Sequence, residues 1–454
     1  MAEHFHLIGI GGIGMSAIAR LLLRSRKEIS GSDSKENSNT RVLEQLGAKI
    51  CIGHKASNVS GASQVIYSSA IKEDNPEIKE ARRLGIRLVR RAEALAGLMA
   101  DKSVITIAGS HGKTTTASLA SCLLMEAGLS PTLAVGGVLR NIDTNACAGN
   151  GNFFVAEADE SDGSFLCYKP LYSIVTNVDC EHLDYYKTFD KEKDAFRSFL
   201  NLTEKNGCVF YCDDDLNLKE IVEGYKGRAV SFGLNPCSDF SPEKIKFNAL
   251  SSSFDCIYRG KSIGSFSLSL GGVHNISNAL SVIALGIELG IGVEVMKKAF
   301  LDFKGAGRRL EIKFKGPDFI VLDDYAHHPT EIKATLSAVS QLKAKRVIAV
   351  FQPHRFTRTK ILFNDFIRSF GEADLVFITD IYPAAEKPIK GISGMSLCEG
   401  MRGAGKENVY FSPRSDLLGN VMKFVRPGDL VITLGAGDIV GLSDELAEIF
   451  KNKA

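Results

Sequence analysis

The sequence lacks several features that mark particular classes of protein. No apolar run approaches the roughly 20 residues needed to cross a bilayer, so we expect no membrane insertion. The net charge is only +2, which argues against a nucleic-acid partner and against binding to acidic lipid. Ten cysteines occur without a C-x-x-C pair, and Cys122, Cys208 and Cys256 lie in apolar runs, which favours reduced, partly buried thiols over disulfides or zinc. A strand pattern begins by Phe5, so we expect no signal peptide and a cytoplasmic protein.

The length of 454 residues favours about three domains at roughly 150 residues each. Strand and helix patterns alternate through three blocks, which predicts parallel sheets covered by helices in each. We place the domains at 1–100, 101–305 and 306–454. The predicted fold class is therefore α/β, with a Rossmann-like N-terminal domain, a P-loop central domain and a Rossmann-like C-terminal domain. Besides the strand before the P-loop, the predicted strands are His4–Ile10, Ile29–Ser32, Lys49–Ile52, Gln64–Ser68, Arg87–Val89, Phe153–Ala156, Tyr172–Thr176, Val209–Tyr211, Ala229–Phe232, Phe319–Leu322, Arg346–Phe351, Leu375–Thr379 and Leu430–Leu434.

The most informative stretch is S-V-I-T-I-A-G-S-H-G-K-T-T-T, residues 103–116. A β-branched run ends at Ala108, the chain turns through residues 109–112, and a helical pattern begins at Lys113. This layout predicts a phosphate-binding loop, in which helix N-terminal N–H groups face an anion, the lysine reaches the terminal phosphates and a threonine hydroxyl ligates Mg²⁺. The loop is shorter than the usual G-x-x-x-x-G-K-[ST], because Ile107 occupies the place of the first glycine.

A second glycine loop follows the first predicted strand. Gly9, Gly11 and Gly14 match G-x-G-x-x-G, and Asp33 comes about 20 residues after the motif. The glycines let backbone amides approach a pyrophosphate, and the acid can bind a ribose hydroxyl. These interactions suit NAD and any nucleotide diphosphate equally well. The motif alone therefore does not distinguish an NAD-dependent dehydrogenase from a protein with a UDP-sugar site.

Acids and a histidine follow two strands downstream of the phosphate loop. Glu157 ends one predicted strand, and the next runs through Thr176 into N-V-D-C-E-H, which brings His182 to its end. An acid and a histidine displayed from adjacent strand ends suit Mg²⁺ beside the phosphate loop.

Further on, G-V-H-N-I-S-N-A places His274, Asn275 and Asn278 at the start of an apolar helix. The two asparagines are i, i+3 neighbours on one helix face. Helix capping and hydrogen bonding to an adenine edge are both open for them.

Two polar segments follow strands in the third block. D-D-Y-A-H-H-P presents acids with His327 and His328, and the absence of i, i+4 spacing disfavours zinc there. Q-P-H-R-F-T-R presents arginines that fit recognition of a carboxylate or phosphate. Arg308 and Arg309 lie at the junction between blocks, where a cation can reach phosphates bound by the second block.

Together these residues resemble the Mur ligase family, the ATP-dependent amide-forming enzymes of peptidoglycan precursor synthesis. The resemblance covers essentially the entire chain. His111 and the Q-P-H-R segment are most similar to the alanine-adding members. The motifs that carry it are G-I-G-G-I-G-M-S, S-A-I at 69–71, G-S-H-G-K-T-T-T, E-A-D-E-S-D, H-N-I-S-N-A, D-D-Y-A-H-H-P-T-E and Q-P-H-R-F-T-R.

The resemblance implies that ATP phosphorylates the lactyl carboxylate of UDP-N-acetylmuramate and that L-alanine attacks the acyl phosphate, in a monomer or weak homodimer. The residues it implies for ATP are Gly109, Ser110, His111, Gly112, Lys113, Thr114, Thr115, Asn275, Asn278, Arg309 and Asp324. Those implied for Mg²⁺ are Thr114, Glu157 and His182. Those implied for the UDP-sugar are Gly9, Gly11, Gly12, Gly14, Asp33, His54, Ser69 and Ala70, and those for the amino acid are Tyr325, His327, His354, Arg355 and Arg358. The implied catalytic residues are Lys113, Glu157, His182, Asn275, Arg309 and Asp324.

One position departs from the family pattern. Later members carry a carbamylated lysine some fifteen residues beyond the histidine equivalent to His182, and counting here reaches Arg197. A guanidinium cannot form that carbamate, so we expect no carbamylated lysine, and the second Mg²⁺ site is not defined by the motif.

Three other functions are weighed against this one. An NAD-dependent dehydrogenase leaves the phosphate loop, Glu157 and His182 unexplained. A nucleotide-switch or scaffold module leaves the N-terminal glycine loop without a role. A recycling ligase that joins a ready-made tripeptide to UDP-N-acetylmuramate shares the first two domains, so residues 352–358 distinguish it.

Overall fold

The computed structural model describes residues 3–342, 344–384 and 386–452. They form three mostly parallel sheets flanked by helices, which confirms the predicted three-domain α/β class. The chain divides into two compact units. The first unit contains Met1–Glu243, Asp255–Phe266 and Ser277–Lys304, and the second contains Lys244–Phe254, Ser267–Ile276 and Gly305–Ala454.

The N-terminal sheet is parallel throughout, with strand order β3-β2-β1-β4-β5. Its strands are β1 (His4–Ile8), β2 (Glu28–Asp33), β3 (Lys49–Ile52), β4 (Gln64–Tyr67) and β5 (Arg87–Arg90). Its helices are α1 (Ile13–Arg24), α2 (Ser38–Gln45), α3 (Pro76–Arg83) and α4 (Arg91–Met99). The order reverses between β1 and β4, which opens a crevice at their carboxyl ends.

The central sheet has ten strands in the order β15-β14-β13-β12-β11-β10-β6-β9-β7-β8. Its strands are β6 (Ser103–Ala108), β7 (Thr132–Leu139), β8 (Thr144–Cys147), β9 (Phe153–Glu157), β10 (Tyr172–Val175), β11 (Cys208–Cys212), β12 (Ala229–Phe232), β13 (Phe240–Asn248), β14 (Ser251–Tyr258) and β15 (Lys261–Leu268). Its helices are α5 (Lys113–Glu126), α6 (Leu183–Tyr186), α7 (Phe189–Leu200), α8 (Leu216–Glu223), α9 (Val273–Glu288) and α10 (Val293–Leu301).

Strand β6 lies between β9 and β10 and pairs with both in parallel. Its residues are almost all buried, as an uninterrupted apolar strand at the centre of a parallel sheet should be. The prediction that Glu157 and His182 follow adjacent strands is therefore wrong, because β6 separates the two strands. The phosphate loop consequently leaves the sheet between them.

The C-terminal sheet has six strands in the order β16-β17-β21-β18-β19-β20. Its strands are β16 (Glu311–Lys315), β17 (Phe319–Asp324), β18 (Arg346–Phe351), β19 (Leu375–Ile378), β20 (Val409–Phe411) and β21 (Asp429–Leu434). Its helices are α11 (Pro329–Val339), α12 (Phe356–Ile361), α13 (Phe363–Ile367), α14 (Gly394–Gly403), α15 (Leu417–Phe424) and α16 (Val440–Lys451). Alternate strand residues bury opposite faces: Leu322 packs in one apolar cluster and Val321 in another.

Each strand predicted from the sequence has a counterpart in these sheets. The unpredicted strands include the antiparallel β16 and the long β13, whose side chains are mostly charged or half-exposed and so leave no apolar run. The first strand ends at Ile8 rather than Ile10, because Gly9 turns the chain with a φ of +80°. Among the described residues, no helix combines the length and apolar character needed to span a membrane.

Candidate active site

The phosphate loop, residues 109–112, connects β6 to α5. Gly109 and Gly112 adopt φ angles of +124° and +85°. A Cβ on Gly109 would lie 2.3 Å from Thr176 Oγ1, and one on Gly112 would lie 2.8 Å from Asn278 Oδ1. Both positions therefore require glycine. No described side chain caps α5, which leaves the N–H groups of its first turn as donors to an anion.

The loop is bound to the segment that follows β10. Ser110 N–H donates to the Asn177 carbonyl at 3.1 Å, and His111 N–H donates to Asn177 Oδ1 at 2.8 Å. The Thr176 hydroxyl donates to the His111 carbonyl at 2.6 Å, and His111 Nε2 lies 3.2 Å from Asp179 Oδ2. These bonds fix the curvature of the loop before any nucleotide arrives.

Lys113 is held by an acid that the sequence analysis did not single out. Its Nζ donates to both carboxylate oxygens of the fully buried Glu160, at 2.8 and 2.9 Å. It also donates to the carbonyls of Gly109 and Ser110. Burial opposes the ammonium charge, but the neighbouring Glu160 and Asp159 outweigh it and raise the pKa of Lys113 above its ordinary value. The lysine is therefore charged.

Thr114 and Glu157 meet directly behind the loop. The Thr114 hydroxyl donates to Glu157 Oε2 at 3.2 Å, and the Gly136 N–H donates to Oε1. Glu157 is the last residue of β9, in register with Ile107 of β6. Thr115 is buried in the same first turn of α5. Two of the three predicted Mg²⁺ ligands are thus brought together.

The third predicted ligand, His182, belongs to a different group. Glu160, Glu181 and His182 present ligand atoms within 4.8 Å of one another, and we call them the cation trio. His182 Nε2 lies 3.4 Å from an oxygen of each acid. Burial lowers the pKa of His182, but its hydrogen bonds to the two acids prevail and raise it to about 9. Two carboxylates and an imidazole fit a divalent cation once the ring has lost its proton, so binding of a cation here would release a proton from His182.

The backbone at His182 is strained. Its φ is +45°, a left-handed value that non-glycine residues rarely adopt. Such strain is concentrated at functional positions, where the surrounding contacts over-determine the backbone. Here the ring is fixed between the two acids of the cation trio.

Arg197, at the position of the modified lysine, lies away from this group. It is 37% exposed and forms ion pairs with Asp194 at 2.7 Å and Glu220 at 2.8 Å. The first pair lies within α7 and the second joins α7 to α8. Arg197 therefore has a partner set of its own outside the cation trio.

The N-terminal glycine loop is braced by Asp33. The Gly11 N–H donates to Asp33 Oδ2 at 2.9 Å, and a Cβ on Gly11 would lie 2.5 Å from Asn37 Nδ2. Gly12 N–H donates to the Gly9 carbonyl at 3.1 Å. The Asp33 carboxylate, assigned to a ribose hydroxyl from the motif, thus already bonds the loop with one oxygen.

The same sheet edge carries the other predicted UDP-sugar residues. Ser69 and Ala70 are exposed just after β4, which pairs with β1. A Cβ on Gly14 would lie 3.1 Å from the guanidinium of Arg91, and that guanidinium lies 3.6 Å from Asp159. Arg91, which the sequence analysis missed, therefore connects the glycine loop with the surroundings of Lys113.

The ring of His54 contacts the buried acid Glu77. Its Nδ1 lies 3.0 Å from Glu77 Oε2 and 3.1 Å from Ser32 Oγ. Glu77 is fully buried and also accepts hydrogen bonds from Ser32 at 2.6 Å and Asn58 at 2.5 Å. Burial raises the pKa of Glu77, but hydrogen bonds from His6, Ser32, Asn58 and His54 outweigh it and lower the pKa to about 2.

The two asparagines of α9 are both buried. Asn275 Nδ2 donates to the Gly271 carbonyl at 2.7 Å, and Asn278 contacts the Gly112 turn of the phosphate loop. The nearby His274 is neutral, because burial and the charge of Arg309 lower its pKa to about 4.

In the second unit, Asp324 ends β17. Its carboxylate accepts the N–H groups of Leu310 at 2.7 Å and Ala326 at 2.8 Å. Burial raises the pKa of Asp324 to about 6, against the opposing effects of Arg309 and these two N–H groups. Asp324 thus positions the backbone that carries Arg309.

The Tyr325 ring lies near two guanidinium groups, 5.1 Å from that of Arg308 and 5.3 Å from that of Arg309. Arg308 is bound to Asp323 at 2.9 Å. Arg309 lies 3.6 Å from Glu331. Cation–π contact and ion pairs therefore fix two cations at this strand end.

The aromatic residues predicted to bind the amino-acid substrate form a row of rings. Tyr325 and His327 have ring centroids 5.3 Å apart, His327 and His354 are 5.7 Å apart, and His354 stacks on Tyr382 at 5.5 Å. Arg358 Nη1 lies 3.4 Å from His354 Nδ1. These residues follow β17, β18 and β19, so parallel strand ends bring them together.

His354 is neutral, because burial and the nearby His327, Arg358 and Arg355 lower its pKa to about 3. Arg355, the N-cap residue just before α12, has a φ of +68° and is a second strained non-glycine position. A neutral ring beside arginines leaves the positive charge of this group on the guanidinium groups.

Several of these residues escaped the sequence analysis for different reasons. Glu160 lies in the quoted E-A-D-E-S-D motif, and Glu181 directly precedes His182, so both had a usable signal. Glu331 is the last residue of the quoted D-D-Y-A-H-H-P-T-E motif, so it too had a usable signal, and it pairs with Arg309 and His327. Tyr382 follows β19 with no motif, and only the sheet order reveals it.

Comparison with known protein families decides the classification. Residues 4–103 match "Mur ligase family, catalytic domain", residues 107–286 match "Mur ligase middle domain", and residues 308–437 match "Mur ligase, glutamate ligase domain". The chain belongs to the Mur ligase family. This bears out the resemblance stated from the motifs.

Mur ligases with the same printed name are among its close relatives. The UDP-N-acetylmuramate–L-alanine ligase of Syntrophus aciditrophicus is 43% identical, with 100% of this chain and 95% of that protein covered. The ligase of that name from Sorangium cellulosum is 45% identical, covering 96% and 94%.

Solved Mur ligase structures agree in fold. The UDP-N-acetylmuramate–alanine ligase of Thermotoga maritima has a TM-score of 0.86 at 29% identity, covering 99% of this chain and all of that one. A murein peptide ligase from Psychrobacter arcticus has a TM-score of 0.75 at 23% identity, covering 99% of both chains, and this likeness supports the fold alone.

Proposed function

We propose that this chain is an ATP-dependent ligase that joins L-alanine to the lactyl carboxylate of UDP-N-acetylmuramate in peptidoglycan precursor synthesis. The observation that carries the proposal is full-length likeness, at 43 to 45% identity, to ligases of that name. The charged Lys113 at a phosphate loop, beside a UDP-sugar-type glycine loop in the same unit, supports it.

The reaction needs activation, because a carboxylate is a poor electrophile and does not condense with an ammonium group in water. Transfer of the γ-phosphoryl group of ATP to the lactyl carboxylate gives an acyl phosphate. The amine of L-alanine then attacks the carbonyl carbon, and phosphate leaves from the tetrahedral intermediate. Positioning and charge neutralisation supply most of the catalysis in such a transfer.

Lys113 and the first turn of α5 bind and neutralise the ATP phosphates in this proposal. Thr114, Glu157 and His182 are the proposed Mg²⁺ ligands, and the carboxylates around them match the oxygen ligands that Mg²⁺ prefers. When bound, Mg²⁺ supplies charge neutralisation at the phosphates. Asn275 and Asn278 contact the adenine, and Arg309 and Asp324 contribute to the nucleotide site.

The loop at Gly9, Gly11, Gly12 and Gly14 binds the UDP-sugar diphosphate. Asp33, His54, Ser69 and Ala70 lie along the same sheet edge and complete this proposed site. Because His54 is fixed by Glu77, its ring is oriented before the substrate arrives.

Arg355 and Arg358 bind the carboxylate of L-alanine, since a guanidinium fork matches a carboxylate. Tyr325, His327 and the neutral His354 line the remainder of the proposed amino-acid site. We further propose a cytoplasmic location and a monomer or weak homodimer. Analytical ultracentrifugation would test the oligomeric state.

The decisive experiment measures phosphate release with ATP, UDP-N-acetylmuramate and a panel of alanine, serine, glycine and a tripeptide. We expect release with alanine, and Lys113→Ala should lower turnover by at least about 100-fold, because a cation at the transferred phosphoryl group is lost. Lys79→Ala on the exposed face of α3 is the matched control and should leave turnover unchanged. Activity that survives in Lys113→Ala, or that requires the tripeptide or a nicotinamide cofactor, contradicts the proposal.

A separate measurement tests the modified lysine. Intact-mass and peptide mass spectrometry of residues 189–200 should show no carbamate, because Arg197 occupies the expected position. A carbamylated Lys191 or Lys193 would overturn this expectation.

A further inference from the structure

Arg91 is the first residue of α4 and directly follows β5. Strand β5 pairs in parallel with β4, and β4 pairs in parallel with β1. The carboxyl ends of parallel strands meet at one edge of a sheet, so α4 begins at the same edge from which the glycine loop leaves β1. Because the strand order reverses between β1 and β4, Arg91 lies at the edge where open α/β sheets bind ligands.

The Arg91 side chain packs against the last glycine of the N-terminal loop. A Cβ on Gly14 would lie 3.1 Å from Nη1 of Arg91 and 3.2 Å from its Cδ, so a side chain at position 14 would press on the arginine. In a G-x-G-x-x-G loop the third glycine ordinarily lets the helix pack closely on the strand. Here that glycine leaves room for a guanidinium.

The Arg91 guanidinium has N–H groups available for another acceptor. The side chain is 19% exposed, and its one hydrogen-bonding or ion-pair partner among the described residues is Asp159, at 3.6 Å between Nη2 and Oδ2. That distance exceeds the roughly 2.7 to 2.9 Å of a charge-assisted N–H···O bond. The other oxygen of Asp159 accepts the Ser161 N–H at 3.1 Å. A mostly buried guanidinium therefore has several donors that this long ion pair does not use.

A diphosphate at the glycine loop has no cation among the residues assigned to it so far. The loop sequence G-I-G-G-I-G offers backbone N–H groups alone, and Asp33, which the Gly11 N–H contacts, is an acid. His54, Ser69 and Ala70 include no lysine or arginine. Arg91 is a cation in contact with this loop, and its planar fork matches phosphate oxygens.

We propose that Arg91 binds the diphosphate of the UDP-sugar by donating hydrogen bonds to its phosphate oxygens beside Gly14. The identity of the ligand as a UDP-sugar rests on the proposed ligase function. The role of Arg91 rests on its contact with the glycine loop and on its unused donors. Asp159 then competes with the phosphates for the same guanidinium.

The test measures the binding of UDP and of uridine to the full chain by isothermal titration calorimetry. The two probes share the nucleoside and differ in the diphosphate, so the ratio of their affinities isolates the contribution of the phosphates. Arg91→Ala and Arg91→Gln each remove the charge. Arg87→Ala, at the exposed amino end of β5, is the matched control. Asp159→Asn removes the ion pair and keeps the arginine.

We expect Arg91→Ala to weaken UDP binding by about tenfold or more while uridine binding stays within about twofold, because charge-assisted hydrogen bonds to phosphate are lost. Arg87→Ala should change neither affinity. Asp159→Asn should keep the parent affinity for UDP or raise it, because a competing anion is removed. A role of Arg91 in the fold alone predicts instead that UDP and uridine lose affinity together and that Asp159→Asn behaves like Arg91→Ala.

UDP affinity close to that of the parent chain in a folded Arg91→Ala overturns the proposal. An equal loss for UDP and uridine overturns it too, as does a loss in Asp159→Asn as large as that in Arg91→Ala. If Arg91→Ala does not fold, Arg91→Gln is judged by the same results, and Asp159→Asn tests the proposal with Arg91 intact. A parent chain that binds UDP no more tightly than uridine also overturns it.

The two proposals fail separately. A parent chain that binds UDP through Arg91 but releases no phosphate with ATP, UDP-N-acetylmuramate and L-alanine contradicts the ligase function alone. A parent chain that releases phosphate, while Arg91→Ala keeps the parent preference for UDP over uridine, contradicts the role of Arg91 alone.

Discussion

Glu77 and Glu192 are both fully buried helix glutamates of the first unit, yet their surroundings drive them to opposite states. Glu77 accepts hydrogen bonds from Ser32, Asn58 and His54, and its pKa falls to about 2. Glu192 accepts no side-chain hydrogen bond among the described residues, only the charge of His182 and the Glu181 N–H oppose its burial, and its pKa rises to about 8. Burial is common to both, so the donors decide the charge.

The difference separates an acid whose burial is compensated from one whose burial is not. A buried carboxylate with its full set of donors stabilises the native state and resists protonation. One with few donors weakens the fold when it is ionised, and its pKa rises instead. Replacing each glutamate by glutamine tests this contrast.

The largest effect should come from the paired amide substitutions. Glu192→Gln should change the free energy of unfolding by less than about 1 kcal/mol, because a carboxyl group whose pKa is raised to about 8 is already mostly neutral at pH 7. Glu77→Gln should lower the free energy of unfolding by about 3 kcal/mol, because an amide donor would face the donors that the carboxylate now accepts from. Urea denaturation at pH 7 measures both. Equal losses of stability in both variants would remove the contrast.

The second effect concerns the decrease in the free energy of unfolding at low pH. The folded pKa of Glu77 lies below its unfolded value near 4.5, so its stabilisation is present above pH 4.5 and is lost as the pH falls towards 2. Between pH 7 and pH 3 the loss should amount to about 2 kcal/mol, because this range ends about 1.5 pH units below the unfolded pKa and each pH unit contributes about 1.4 kcal/mol. Urea denaturation over this range measures it. In Glu77→Gln the free energy of unfolding should depend less on pH in this range. An unchanged pH dependence would contradict the role assigned to Glu77.

A smaller effect is expected at His54, which touches both Glu77 and the proposed UDP-sugar site. His54→Ala removes a ring that Glu77 orients, so the KM for UDP-N-acetylmuramate should rise about tenfold, equivalent to about 1.4 kcal/mol. The KM for ATP is the internal control and should stay within twofold. A rise in both KM values would point to a general loss of structure instead.

The smallest effect should follow Arg197→Ala. Surface ion pairs contribute about 0 to 1 kcal/mol, so the stability and turnover of this variant should stay close to those of the parent chain. Thermal denaturation and phosphate release check both. A turnover loss of about tenfold or more in Arg197→Ala would contradict the assignment of its ion pairs as surface contacts alone.

The sequence predicted the parts of the fold that depend on local chemistry. Buried parallel strands such as β6 are continuous apolar runs, and the left-handed turns at Gly9 and Gly112 need glycine, so strands and loops could be found by pattern. The antiparallel edge strand β16 could not, because its side chains are largely polar or half-exposed.

The site was predictable where a motif names the residue and not where two distant segments meet. Lys113 was found, but its partner Glu160 lies 47 residues away, and only the fold shows that they pair. Asp33 was found with a ligand role, whereas the structure gives one of its oxygens to the Gly11 N–H. Glu192 reads as an ordinary helix glutamate in sequence, because burial of a helix face depends on what packs against it.

The pairing of Lys113 with Glu160 has a consequence for the order in which ligands are accepted. Lys113 is already paired with Glu160 before a nucleotide binds. A phosphate that takes over the lysine would leave the negative charge of Glu160 buried without its cation. A nucleotide that brings its own divalent cation replaces what it removes, whereas a bare nucleotide does not. In the proposed ligase we therefore expect the loop to prefer metal-loaded over metal-free ATP, through an acid that does not itself have to touch the phosphates.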